Sequence, residues 1–219
     1  IHHNGTHQSI VELYPEGTIF SGGLSKWCGA GGWRLGLFVF PDGLRWLQDA
    51  MATVASETFT STSSPIQHAA IAAFRENDEI EKYLVDERRI LKALGNTLAE
   101  KLKTGGAKVK PPEGAFYLFP DFSEFTDKFK RNNINNSKEM CERLLEDTGV
   151  AILPGSDFGR SENEYSARMA YVDFDGRAAL EGIKEIPVEQ APGQDFLKKY
   201  CGRMLESIDR INDWINNLD

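Results

Sequence analysis

The stretch Trp33 to Phe40 alternates and is rich in large apolar residues, which predicts a β-strand. Thr18 to Ser21 reads as a shorter, buried strand running into Gly22-Gly23. Pro41-Asp42-Gly43 closes the second strand with a turn. Asp42 is placed to cap the helix that follows, Leu44 to about Ser56. Phe59 to Ser64 is polar and irregular, and Pro65 suits the first turn of a helix capped by Ser64 and running to about Arg75. From Glu79 to Lys103 the pattern shifts to a long charged amphipathic helix, its acidic face read as solvated and its end set by Gly105-Gly106. A helix of this kind commonly links two lobes, and a domain boundary is expected along it.

The second lobe reads as α+β. Ala107 to Lys110 and Ala115 to Phe119 are predicted strands around the turn Pro111-Pro112-Glu113-Gly114. Ser137 to Asp147 is a predicted helix with Ser137 as its cap. Val150 to Leu153 and Ala167 to Val172 are predicted strands, Asp175 to about Lys184 a helix, and Ile186 to Gly193 a loop. Gln194 to Asn217 is the last helix. The asparagine-rich stretch Arg131 to Ser137 is read as an exposed loop, and no internal repeat is found.

Composition narrows the class. The 219 residues, 41% hydrophobic and 26% charged, suit one large or two small soluble domains. The formal charge of -8 argues against a nucleic-acid partner, which would need a basic face. No apolar run is long enough for a membrane helix, and Ile1-His2-His3-Asn4-Gly5 lacks the apolar core of a secretory leader. Cys28, Cys141 and Cys201 are odd in number and far apart, which suits a reducing, cytoplasmic compartment. His2, His3, His7 and His68 have no metal-ligand spacing, so no metal is expected.

Candidate chemistry gathers in Gly23-Leu24-Ser25-Lys26-Trp27-Cys28-Gly29-Ala30-Gly31-Gly32-Trp33-Arg34-Leu35-Gly36. A lysine amine forms Schiff bases when it is positioned and activated, and burial beside a cation is one route to activation. Glycines let backbone and cofactor approach closely. Arg34 is a permanent cation suited to a phosphate. Taken alone, a lysine in a glycine-rich loop is a solvated loop residue, and an arginine flanked by Trp33 and Leu35 is a structural one. Glu113 and Asp157 read as turn residues, Asp173 and Asp175 as a turn and a helix cap. Trp27, Trp33, Trp46 and Trp214 read as packing or lobe-interface groups.

The ordered stretch Gly23 to Gly36 resembles the lysine signature of class I/II (fold-type I) aminotransferases, enzymes dependent on pyridoxal 5'-phosphate (PLP). Three further segments resemble that family in its order: Pro112 to Pro120 its first small-domain hairpin, Val150 to Gly159 a turn near the substrate, and Ala167-Arg168-Met169-Ala170-Tyr171 the strand bearing a carboxylate-binding arginine. The resemblance covers nearly the whole chain. It implies that Lys26 is catalytic, forming an aldimine with PLP and moving the substrate's α-proton. It implies that Gly23, Ser25, Lys26 and Arg34 bind the cofactor and that Arg168 pairs with the substrate α-carboxylate through a planar fork. Thr62 and Ser63 fall where family members approach a partner subunit's site. Where some relatives have a phosphate-binding serine three residues before the lysine, this chain has Gly23, so that phosphate bond is either lost or supplied by Ser21 or Ser25.

By the same resemblance the fold class is α/β: the C-terminal part of a large, mostly parallel-sheet domain (residues 1–78), an interdomain helix (79–104) and a small α+β domain (105–219). The chain would then be the C-terminal half only of a family member, inactive or very weak alone. The implied activity moves an amino group from an L-amino acid to a 2-oxo acid in a homodimer of amino acid metabolism, with no nucleic-acid or membrane partner. The alternatives are a PLP lyase or synthase of the same fold, and a non-catalytic homologue acting as an interaction protein, which the retention of Lys26, Arg34 and Arg168 argues against.

Overall fold

In a computed structural model of the chain, which describes residues 1–75 and 77–218, Phe20–Gly23 (β1) and Gly36–Val39 (β2) pair antiparallel. Gly23 stands opposite Gly36 and Phe20 opposite Val39. The expected mostly parallel sheet is therefore corrected. Parallel neighbours need a long crossover, usually a helix packed on the sheet. Here the connection from Leu24 to Leu35 is a loop with a single 3-10 turn at Gly31–Trp33, and it returns the chain directly alongside β1. After a 3-10 turn at Asp42–Leu44 come Arg45–Thr58 (α1), Ser64–Ala73 (α2) and Asp78–Thr104 (α3).

The chain continues through Tyr117–Leu118 (β3), Thr126–Arg131 (α4), Ser137–Thr148 (α5), Leu153–Pro154 (β4), Ala167–Ala170 (β5), Gly176–Ile183 (α6) and Gln194–Asn217 (α7). The second sheet is also antiparallel throughout, in the order β3-β5-β4. It is smaller than the alternation suggested. Lys108 makes only an isolated bridge to Asp121. The stretch Ser123 to Arg131, a 3-10 turn leading into α4, was not foreseen as helical.

Two compact units result. One is Thr6–Leu84; the other is Ile1–Gly5 with the chain from Val85 onward. In the second, α3 turns Ile90, Leu91, Leu94, Leu98, Ala99 and Leu102 into the core, each within a turn of the next. On α7, Leu197, Cys201, Met204, Ile208, Ile211 and Ile215 do the same at alternating steps of three and four residues. Leu118, Ala167 and Met169 close that core from the sheet. Among the described residues of Thr6–Leu84 the buried apolar cluster is Leu24, Ala30, Leu35 and Ala70.

Capping differs from expectation in three places. Asn136, not Ser137, caps α5, its Oδ1 accepting from the Glu139 N–H at 2.9 Å. Ser137 is instead fully buried and donates to the Ser156 hydroxyl at 3.3 Å. Asp42 lies in the 3-10 turn before α1, and neither α1 nor α2 has a side-chain cap at its start. Asp175 does cap α6, through the Ala178 N–H at 3.0 Å. Among the described residues, no helix is long and apolar enough to cross a membrane.

Candidate active site

The loop between β1 and β2 is held from beneath by its own apolar residues. Leu24 is fully buried, and with Ala30 and Leu35 it packs on Ala70 of α2, flanked by Trp27, Cys28, Ile66 and Ala73. Backbone bonds close the loop: the Leu24 N–H donates to the Leu35 carbonyl at 3.2 Å, and the Ala30 N–H to the Leu24 carbonyl at 3.1 Å. At Gly29 the backbone takes a φ of +62°, and its N–H donates to the Lys26 carbonyl at 3.1 Å. At Gly23 a Cβ would stand 2.9 Å from the Leu35 carbonyl oxygen, so close strand approach itself demands glycine there. Ser25 is half-buried and Lys26 is exposed.

Arg34 leaves the same loop with a left-handed backbone, φ 54°, and its Nη1 donates to the Gly31 carbonyl at 2.9 Å. No carboxylate pairs with it among the described residues, so its charge stays available to an external anion. The Thr62 hydroxyl lies 3.5 Å from the Arg34 carbonyl, at the outer limit of a hydrogen bond. A cleft of about 610 Å³ opens beside it, lined among others by Leu35, Gly36, Phe59, Thr62, Ala70 and Phe74. An exposed amine and an arginine without a carboxylate on one closed loop form a donor set that fits a phosphate-bearing aldehyde.

Arg168 belongs to the other unit, on β5. Its neighbours Ala167 and Met169 face the core, so strand alternation turns Arg168 to the opposite face, half-buried and across from Leu153 of β4. Its guanidinium carbon lies 4.7 Å from the Tyr117 ring centroid and 4.2 Å from that of Phe158. It too has no carboxylate partner among the described residues. Neither aromatic ring was singled out from sequence, although Phe158 closes the turn that was.

A family model for class I and II aminotransferases matches residues 3–173. Among curated proteins, the aspartate aminotransferase of Bacillus subtilis is 34% identical over 169 residues, covering 75% of this chain and 40% of that protein. The aspartate aminotransferase of Pyrococcus horikoshii is 30% identical over 178 residues, covering 78% and 41%. The chain thus spans about two-fifths of the length of these relatives. Among solved structures, the aromatic aminotransferase from Pyrococcus horikoshii superposes with a TM-score of 0.70 at 25% identity, covering 97% of this chain and 47% of that one. The Thermus thermophilus aspartate aminotransferase with maleate gives 0.68 at 25% identity, covering 95% and 44%.

These matches correct one expectation. The family match occupies the majority of this chain counted from its N-terminal end, residues 3–173, so the reading of the chain as a C-terminal half only is withdrawn. The matched span runs from before β1 through β5 and holds Lys26, Arg34 and Arg168. On that match, the chain belongs to the class I and II aminotransferases.

Proposed function

We propose that this protein is a PLP-dependent aminotransferase whose cofactor is held on the Lys26 loop. The observation that carries the reading is the placement of Lys26 and Arg34 on one closed hairpin loop, with Arg34 unpaired to any carboxylate among the described residues. Lys26 Nζ is the amine that holds the aldehyde. Arg34, with the Ser25 hydroxyl, receives the phosphate, and Gly23 lets the two strands meet tightly beneath it. When bound, PLP supplies an electron sink for the bond electrons left as the α-proton departs. Lys26 Nζ takes that proton from the substrate α-carbon and returns it. Arg168 binds the α-carboxylate and so orients the amino acid and, in the return half, the 2-oxo acid. Aspartate, named in the curated relatives, is the first amino donor to try. A homodimer in the cytoplasm completes the proposal.

The test is absorbance of the chain with added PLP, then borohydride reduction and peptide mapping. A single labelled peptide containing Lys26, absent in Lys26→Ala, is the expected result. Arg34→Gln is expected to weaken PLP retention about tenfold or more, the loss of one charge-assisted phosphate contact. Labelling scattered over surface lysines, unchanged in Lys26→Ala, would overturn the assignment.

A further inference from the structure

We propose that Tyr117 and Phe158 are positioning residues that hold the Arg168 guanidinium for a carboxylate. The inference rests on the reading of Arg168 as the carboxylate-binding arginine. An arginine side chain is long and rotamer-rich, and proteins usually fix it with an acidic partner. That device is unavailable to a residue that must pair with a substrate carboxylate, because a resident Asp or Glu would compete for the same donors. Aromatic faces attract a guanidinium without occupying its in-plane N–H groups. Arg168 has that arrangement: two rings within 4.7 Å of its Cζ and no carboxylate partner among the described residues.

Both rings are themselves fixed. Tyr117 is on β3, paired opposite Ala170, two residues beyond Arg168 on β5. Phe158 ends the 3-10 turn Gly155–Phe158, followed by Gly159 at a φ of 78°. That turn is tied to the sheet by the Gly155 N–H, which donates to the Ser166 carbonyl at 2.7 Å. Gly155 tolerates no side chain, since a Cβ would lie 2.1 Å from the Ser166 hydroxyl oxygen and 3.0 Å from its carbonyl oxygen. The Phe119 ring meets Phe158 edge-on at 6.2 Å and 87°. With Leu153 across from Arg168, these groups make an apolar shelf around the cation.

The full chain, labelled with ¹⁵N-arginine, is titrated with succinate, an unreactive dicarboxylate, while the Arg168 Nε–H signal is followed. Arg168→Lys assigns that signal by its loss. Ring currents are expected to displace the signal, and Phe158→Leu and Tyr117→Leu each shift it back. Each variant weakens succinate binding about threefold and the pair about tenfold, as removal of one or two exposed cation–π contacts implies. Phe158→Tyr, which keeps a ring, stays within about twofold of the wild type. A backbone amide spectrum confirms that each variant folds. Folded ring-removed variants that bind succinate as the wild type does would overturn the positioning role alone. Should Arg168→Lys bind succinate undiminished, or should succinate never move the wild-type Arg168 signal, the carboxylate reading falls and takes this inference with it.

Discussion

Glu87 on α3 has one carboxylate oxygen, Oε2, buried without a hydrogen-bond partner. Burial pushes its pKa up to about 7, against the pull of the Arg88 guanidinium. The folded value therefore lies above the reference of 4.5, and the fold prefers the protonated acid. Stability from this preference is complete below about pH 4.5, is lost as the pH rises toward 7, and changes little beyond. Because the side chain is partly exposed, the loss is discounted to roughly 1–2 kcal/mol. Glu87→Gln removes the charge and keeps the shape, so it is expected to stabilise the chain at about pH 8 and to leave it nearly unchanged at about pH 5. Urea midpoints at the two pH values check this, and an equal shift at both would refute it. The sequence reading placed the acidic side chains of this helix on a solvated face. Helical periodicity assigns a residue to a face but cannot say that Glu87 sits at the margin where that face meets the core. Lys26, Arg34 and Arg168 could be proposed from the sequence because each stands in an ordered local motif. The rings beside Arg168 were not, because Tyr117 reaches it only through strand pairing.

Helices were the legible elements, since period and punctuation agree along them. α3 and α7 were placed almost to the residue, with Gly105-Gly106 ending the one and the run to Asn217 ending the other. Strand direction was not legible. Alternation identifies a strand but carries no orientation, and only the non-helical connection from Leu24 to Leu35 makes β1 and β2 antiparallel. The cap of α5 was misplaced by one residue, onto Ser137, because Asn136 and Ser137 are neighbours of similar cap preference. The structure separates them: Asn136 receives the Glu139 N–H, and its own amide donates to the Glu139 carboxylate at 2.8 Å. Asn136→Ala is expected to cost about 1 kcal/mol, read as a lower urea midpoint with unchanged slope. Ser137→Ala tests a different contact, the bond to Ser156, and leaves the cap in place. If Asn136→Ala proves neutral, α5 does not depend on this cap.

Core residues are shared unevenly between the two units. The unit from Val85 onward has a continuous buried cluster drawn from α3, the β3-β5-β4 sheet and α5 to α7. Among the described residues of Thr6–Leu84 the buried cluster is four residues beneath the Lys26 loop. Most exposed large apolar side chains of the described residues lie in Thr6–Leu84, among them Leu13, Phe38, Trp46, Val54 and Phe59. Helix α1 has no buried residue at all. Local opening free energy follows the apolar surface that each segment buries, so the units are expected to open separately. In hydrogen exchange followed by mass spectrometry, amides of α1 should exchange at least about a hundredfold faster than those of α7 and of Ile90 to Leu102, where opening requires loss of the main core. The Lys26 loop should fall between, closed by Leu24, Ala30 and Leu35 but with little packed beneath them. Added PLP should slow exchange in that loop and leave α7 unchanged, because a ligand that binds only the closed form stabilises the segment it holds. Equal protection of α1 and α7 would mean that one cooperative core spans the chain. Slower exchange in α7, with none in the loop, would place the cofactor away from Lys26.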